Sequence, residues 1–82
     1  NGKYRVKAQT DLTDINQQLE TNFSAEDFDT VGGLVLTHVG RLPKSGETFQ
    51  IAGLEITILR ADSRKIQLLM IEKKKMDVEN SQ

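Results

Sequence analysis

The sequence predicts an α+β fold: a mainly antiparallel sheet of about four strands packed with two helices, in the order β-α-α-β-β-β. Three observations predict it. Two stretches, residues 12–19 and 31–39, carry apolar residues at helical spacing. Two runs, residues 48–51 and 54–58, alternate apolar and polar on either side of Ala52-Gly53. A last run, residues 65–72, is apolar on both sides, as a strand at the centre of a sheet or under a partner should be.

Lys3-Tyr4-Arg5-Val6-Lys7 alternates, so Tyr4 and Val6 are expected to face the core and the three cations water. Thr10 is the candidate cap of the first helix, whose stripe is Leu12, Ile15 and Leu19. Asp11 and Asp14 sit where the helix dipole favours negative charge. The acidic connector beyond that helix holds Phe23 and Phe28, aromatics expected to pin it to the core. Thr30 caps the second helix, Val31, Leu34, Val35 and Val39 form its stripe, and Gly40 ends it in the left-handed conformation, with Pro43 beyond. Gly32-Gly33 costs that helix roughly 1 kcal/mol per residue against alanine. Such a cost points to close approach of another backbone or to a frayed first turn.

Gly46 is expected to open the next strand. A two-residue loop at Ala52-Gly53 pairs Ile51 with Leu54 and Phe49 with Ile56, so that Phe49, Ile51, Leu54, Ile56 and Ile58 share one face. Residues 61–64 form a polar turn. Simple alternation in the last strand then places Ile66, Leu68 and Met70 on one side and Leu69 and Ile71 on the other. An exposed strip of Leu69 and Ile71 would mark a docking surface. The domain is expected to span residues 1–73, with a polar, disordered tail over residues 74–82.

The 82 residues make one small domain, which buries only roughly 60–65% of its unfolded surface. There is no cysteine for a disulfide or thiolate site. Eleven basic and twelve acidic side chains leave a net charge of −1, which argues against a nucleic-acid partner. No apolar run approaches the ~20 residues of a membrane span, and no signal peptide is seen. Because the chain starts at Asn1, it is expected to be a segment of a longer protein.

Candidate chemistry is sparse. His38 is the single histidine and lacks a second histidine or a cysteine for zinc. Glu26, Asp27 and Asp29 are the candidate hard-cation ligands, although their spacing does not match an EF-hand and an exposed acidic loop is ordinarily just solvated. Gly32-Gly33 at a helix start could offer N–H groups to a nucleotide phosphate, but no dinucleotide or Walker pattern surrounds it. Ser24, Ser45 and Ser63 have no nearby base, so no catalytic set is expected. Lys73-Lys74-Lys75 could touch anionic lipid, with a solvated tail as the default.

Several pieces in order carry a family resemblance: Leu12-Thr13-Asp14-Ile15-Asn16, Asp29-Thr30-Val31-Gly32-Gly33, Gly40-Arg41-Leu42-Pro43, Gly46-Glu47 and Gly53. Over residues 4–72 the chain resembles the CorC/HlyC transporter-associated domain, the C-terminal module of hemolysin or magnesium and cobalt efflux membrane proteins. The resemblance implies a fold related to part of an FAD-binding fold without implying FAD, no cofactor, and no catalytic residues. It implies a cytoplasmic module on the inner side of the membrane, whose partners are the CBS domains and membrane region of its parent chain or a second copy. The function expected is non-catalytic regulation of ion transport. The alternative is a small-ligand sensor for an adenine nucleotide or a divalent cation.

Overall fold

The computed structural model describes residues 2–73; the expectations for residues 74–82, including Lys74 and Lys75, lie outside the described residues. The elements are β1 (Lys3–Lys7), α1 (Leu12–Leu19), α2 (Val31–Val39), β2 (Thr48–Ile51), β3 (Leu54–Ala61) and β4 (Ile66–Lys73). All strand pairs are antiparallel and the spatial order is β1-β4-β3-β2. The last strand is therefore central, as its two apolar faces require.

Both helices supply one side of a single core. Leu12, Ile15, Leu19, Val31, Leu34 and Val35 meet Ile51, Leu54, Ile56, Ile58, Ile66, Leu69 and Ile71. Phe23 and Phe28 pack against this cluster and tie down the loop between the helices. Val6 also joins it, whereas Tyr4 stays 37% exposed because β1 is an edge strand with nothing beyond it to cover the ring.

Thr30 caps α2, its hydroxyl accepting from the Gly33 N–H at 3.1 Å, and Gly40 closes the helix at φ +86°. Thr10 does not cap α1. Asp11 occupies the cap position without a side-chain hydrogen bond, and the chain instead joins the two helix starts through backbone. Leu12 N–H donates to Asp29 O, Val31 N–H to Thr10 O and Gly32 N–H to Ala8 O. This close ladder explains Gly32: a Cβ there would lie 2.8 Å from the Ala8 Cβ and 2.9 Å from the Ala8 carbonyl oxygen.

The hairpin has the expected register, Phe49 opposite Ile56 and Ile51 opposite Leu54. Ala52 (φ 50°) and Gly53 (φ 83°) are both left-handed, the requirement of a type I′ turn. Gly46 precedes the strand rather than opening it, donating its N–H to Ile58 O at 2.7 Å.

The loop from α2 to β2 is held by Glu47, whose carboxylate takes both terminal nitrogens of Arg41 (2.9 and 2.6 Å) and the Lys44 N–H (2.8 Å). These bonds hold the Glu47 carboxyl down to about 2 from its ordinary 4.5, the Arg41 contacts first and the Lys44 N–H next. A depressed folded pKa gives stability that is fully present above the unfolded pKa and lost as pH falls through the folded one. The melting-temperature gap between wild type and Glu47→Gln should therefore be widest above pH 4.5 and close as pH falls toward about 2, as thermal melts across that range will check.

Regular alternation fails in two places. Ile58 and Arg60 pair with the consecutive residues Leu69 and Leu68, so Leu59 is an extra residue in β3. Ile66 and Leu68 pair with the consecutive residues Ala61 and Arg60, so Gln67 is an extra residue in β4. Each bulge flips the face of the residues beyond it. The Gln67 bulge returns Ile66 to the same side as Leu69 and Ile71, and all three are buried in the core. The expected docking strip of Leu69 and Ile71 is thus corrected: both are 0% exposed, under the helices. The apolar residues that β4 presents outward are Leu68 and Met70, with Glu72 beyond them.

Candidate functional site

Two features remain once the core is accounted for: an open sheet face and a cationic hollow at one end of it. The open face lies opposite the helices, and no described element covers it. Cross-strand pairing sets its rows: Lys3, Glu72, Glu55 and Gln50 in one, Arg5, Met70, Thr57 and Thr48 in the next, and Lys7, Leu68 and Arg60 in the last. Leu68 and Met70 are half-buried in the middle, with Arg5 and Lys7 on the edge strand beside them. Arg60 belongs to this face only because of the Leu59 bulge. Strict alternation from Ile56 and Ile58 would have driven a guanidinium into the core, at a desolvation cost that the extra residue avoids.

The hollow measures about 360 Å³ and is lined by Lys7, Gln9, Arg60, Lys65, Ile66, Gln67 and Leu68. A second, more apolar hollow of about 220 Å³ adjoins it, sharing Gln9, Lys65 and Ile66 and adding Ala8, Thr30, Gly32, Gly33, Leu36 and Arg64. The turn that presents Arg64 and Lys65 is built by Asp62, whose Oδ1 accepts both their N–H groups at 2.8 Å. Its Oδ2 accepts from the Gln67 side chain at 3.0 Å. These backbone bonds, Arg64 first and Lys65 next, lower the Asp62 pKa, and the Lys65 charge adds to the effect, so its carboxylate is charged. Among the described residues the Arg41–Glu47 pair is the salt bridge that forms, so Lys7, Arg60, Arg64 and Lys65 face the hollows without an ion-pair partner.

The residues singled out from sequence are placed differently. Glu26, Asp27 and Asp29 are exposed in the loop before α2. No group of three or more His, Cys, Asp or Glu suited to a metal forms among the described residues. His38 is exposed on α2, and Ser24, Ser45 and Ser63 are exposed in turns. The start of α2 has no free amide for a phosphate: the N–H groups of Val31, Gly32, Gly33 and Leu34 all go to Thr10, Ala8 and Thr30 oxygens. Lys7, Arg60 and Lys65 were not legible as a set. The available signal was a cation, Arg60, at a position where alternation demanded an apolar residue.

A third hollow, about 380 Å³, lies between residues 20–23 and the Ala52-Gly53 turn. Its loop is clamped by Asn16, whose Oδ1 accepts from the Phe23 N–H (2.9 Å) and the Thr21 hydroxyl (2.8 Å) while its Nδ2 donates to Phe23 O (2.9 Å). Asn16→Ala strands these groups and should cost about 2 kcal/mol, with faster hydrogen exchange at Phe23 as the local readout.

Comparison with known proteins identifies this architecture. The family model of the CorC_HlyC transporter associated domain matches residues 1–75. The chain belongs to the CorC_HlyC transporter-associated domain family. A magnesium and cobalt efflux protein CorC from Vibrio cholerae is 46% identical over 68 residues, which cover 83% of this chain and 23% of that protein. The chain thus spans about a quarter of the length of the relatives it matches, and the domain belongs with larger proteins. A solved CorC-associated region from Neisseria meningitidis MC58 superposes with TM-score 0.85 at 41% identity, covering 89% of this chain and 90% of that one. The transporter associated domain of a Xylella fastidiosa hemolysin, solved in complex with Mg²⁺ and Mn²⁺, shares the fold at TM-score 0.78 and 23% identity, covering 90% of each chain. No helix among the described residues of the CorC_HlyC domain is long and apolar enough to cross a membrane.

Proposed function

We propose that this CorC_HlyC domain is a non-catalytic regulatory module of a magnesium and cobalt efflux-type membrane protein. It sits on the cytoplasmic side and acts by packing against the CBS domains or membrane region of its parent, or against a second protomer. Family membership and the small share of the relatives' length that it covers support the setting. The observation that carries the contact mechanism is the open sheet face, with Leu68 and Met70 at its centre and Arg5, Lys7 and Arg60 around them. An arrangement that buries this face in one transport state and not in another biases the two states by the difference in contact free energy. The test is Leu68→Glu with Met70→Glu in the full parent protein. Cobalt efflux regulation should change, while the isolated domain keeps its melting temperature to within a few degrees. Deletion of the whole domain with no change in efflux or its regulation would sink the reading.

A second reading, a sensor of a small ligand, is favoured by the unpaired cations of the hollow rather than by the acidic loop. Mg²⁺ and Mn²⁺ were bound by the Xylella fastidiosa relative, which makes divalent cations a necessary arm of any ligand screen here.

A further inference from the structure

We infer that the two joined hollows form a binding site for a small molecule carrying a phosphate group and a flat or apolar body, a nucleoside monophosphate being the simplest such compound. The inference rests on the sensor reading, and the site shares Lys7, Arg60 and Leu68 with one end of the open face.

Charge is the first argument. Four cations, Lys7, Arg60, Arg64 and Lys65, come from three separate parts of the chain to line one pair of hollows. Among the described residues Arg41 is the one cation in a salt bridge, so what sets these four apart is that they converge. Here Asp62 is the carboxylate at the turn, and its oxygens are already taken by Arg64 N–H, Lys65 N–H and the Gln67 amide. Among the described residues Lys7, Arg60 and Lys65 form no salt bridge, although the Asp62 charge is felt at Lys65, and an arginine beside lysines suits a tetrahedral oxyanion with several acceptors.

Shape is the second. At about 360 Å³ the cationic hollow has room for a phosphate with its ribose-sized neighbour. The adjoining hollow of about 220 Å³ has a different character. Its lining includes Ala8, Gly32, Gly33 and Leu36, and at Gly33 there is room where a side chain would otherwise stand, a Cβ there meeting the Thr30 hydroxyl at 3.4 Å. Leu36 is 42% exposed, one of two large apolar side chains left open among the described residues, and a flat ring laid on it would remove that surface from water. Gln9, shared by both hollows, supplies an amide between them.

Construction is the third. The site exists because two bulges act together. Leu59 turns Arg60 outward beside Leu68 on the same face as Lys7, and the Gln67 bulge returns Ile66 to the core side while Gln67 itself joins the lining of the cationic hollow. Irregularities of this kind, which re-aim a side chain, recur beside functional sites. The close approach of α2 to Ala8 at Gly32 forms the floor of the apolar half.

The test is an amide NMR titration of the 82-residue chain at low salt with AMP, ribose 5-phosphate, inorganic pyrophosphate and Mg²⁺ alone, plus sedimentation with phosphatidylglycerol vesicles. The expected result is saturable shifts at Gln9, Arg64, Lys65 and Gln67 with AMP, at a dissociation constant at or below about 1 mM. Gly33 and Leu36 should shift with AMP and not with ribose 5-phosphate. Arg60→Gln with Lys65→Gln, both at exposed positions, should weaken binding about tenfold or more. Lys44→Gln, a cation elsewhere on the surface, should leave it unchanged. Vesicle binding lost in the Arg60→Gln, Lys65→Gln variant, together with pyrophosphate binding but no AMP preference, would keep the phosphate site and assign the group to a lipid headgroup. Shifts that stay linear, spread over all lysines or persist in that double variant overturn the site. A response to Mg²⁺ at residues 26–29 with none to the phosphate compounds would overturn it while leaving the sensor reading standing, and no response to any probe would end both.

Discussion

Leu69→Ala should destabilise the domain by about 3–4 kcal/mol, the range for a fully buried leucine whose cavity cannot collapse. Leu69 is 0% exposed on the central strand, opposite Val6 on one side and Ile58 on the other, with the helices above it. Strands on both flanks and helices over the face leave the surroundings little freedom to close over the space. The total stability expected of a domain this size is roughly 4–11 kcal/mol, so this one change removes a large share of it. Urea unfolding should show a lower midpoint with an unchanged slope. Met70→Ala, one residue on, should cost under about 1 kcal/mol, because Met70 faces outward and is only half-buried. Equal losses at the two positions would mean that Met70 is buried as deeply as Leu69 and that the sheet face opposite the helices is not open.

Gly32→Ala should cost about 2 kcal/mol net, whereas Gly33→Ala should be neutral or stabilise by up to about 1 kcal/mol. Alanine improves helix propensity at both positions by the same amount, so the difference isolates packing. At Gly32 the new methyl meets the Ala8 Cβ at 2.8 Å and the Ala8 carbonyl oxygen at 2.9 Å, and backbone cannot move aside as a side chain can. The same carbonyl accepts the Gly32 N–H at 2.9 Å, so relief of the clash stretches or breaks that bond. At Gly33 the nearest neighbour is the Thr30 hydroxyl at 3.4 Å, an ordinary contact. Thermal melts of the two variants side by side decide it. Equal gains in both would mean that α2 does not approach the end of β1 so closely.

Local chemistry made much of this fold legible. Thr30 and Gly40 bound α2 because each meets a steric or hydrogen-bonding need that lies within one turn of itself. The hairpin register came from a two-residue turn and the parity of Phe49, Ile51, Leu54 and Ile56. Thr10 shows the limit. It has the chemistry of a cap, but the first amides of α1 and α2 are answered by each other's backbone, a pairing between residues about 20 apart that no local pattern reports. Leu69 and Ile71 show it again, since one extra residue inverts every assignment on the far side of it.

The linear sequence by itself determined the element types, their order, the cap and stop of α2, the hairpin register and the family, because each depends on residues close in the chain or on motif order. The tertiary structure alone decided that β1 pairs with β4 rather than with β2, where the two bulges fall, which face of β4 is buried, and that Lys7, Arg60, Arg64 and Lys65 converge. The physical reason is that these outcomes are set by competition for one core. Helices placed by two stripes claim one sheet face, and the extra residue Leu59 keeps Arg60 from being buried under them. Arg60, so displaced, joins Lys7, Arg64 and Lys65 at the end of the sheet, where the Asp62 carboxylate is committed to its own turn.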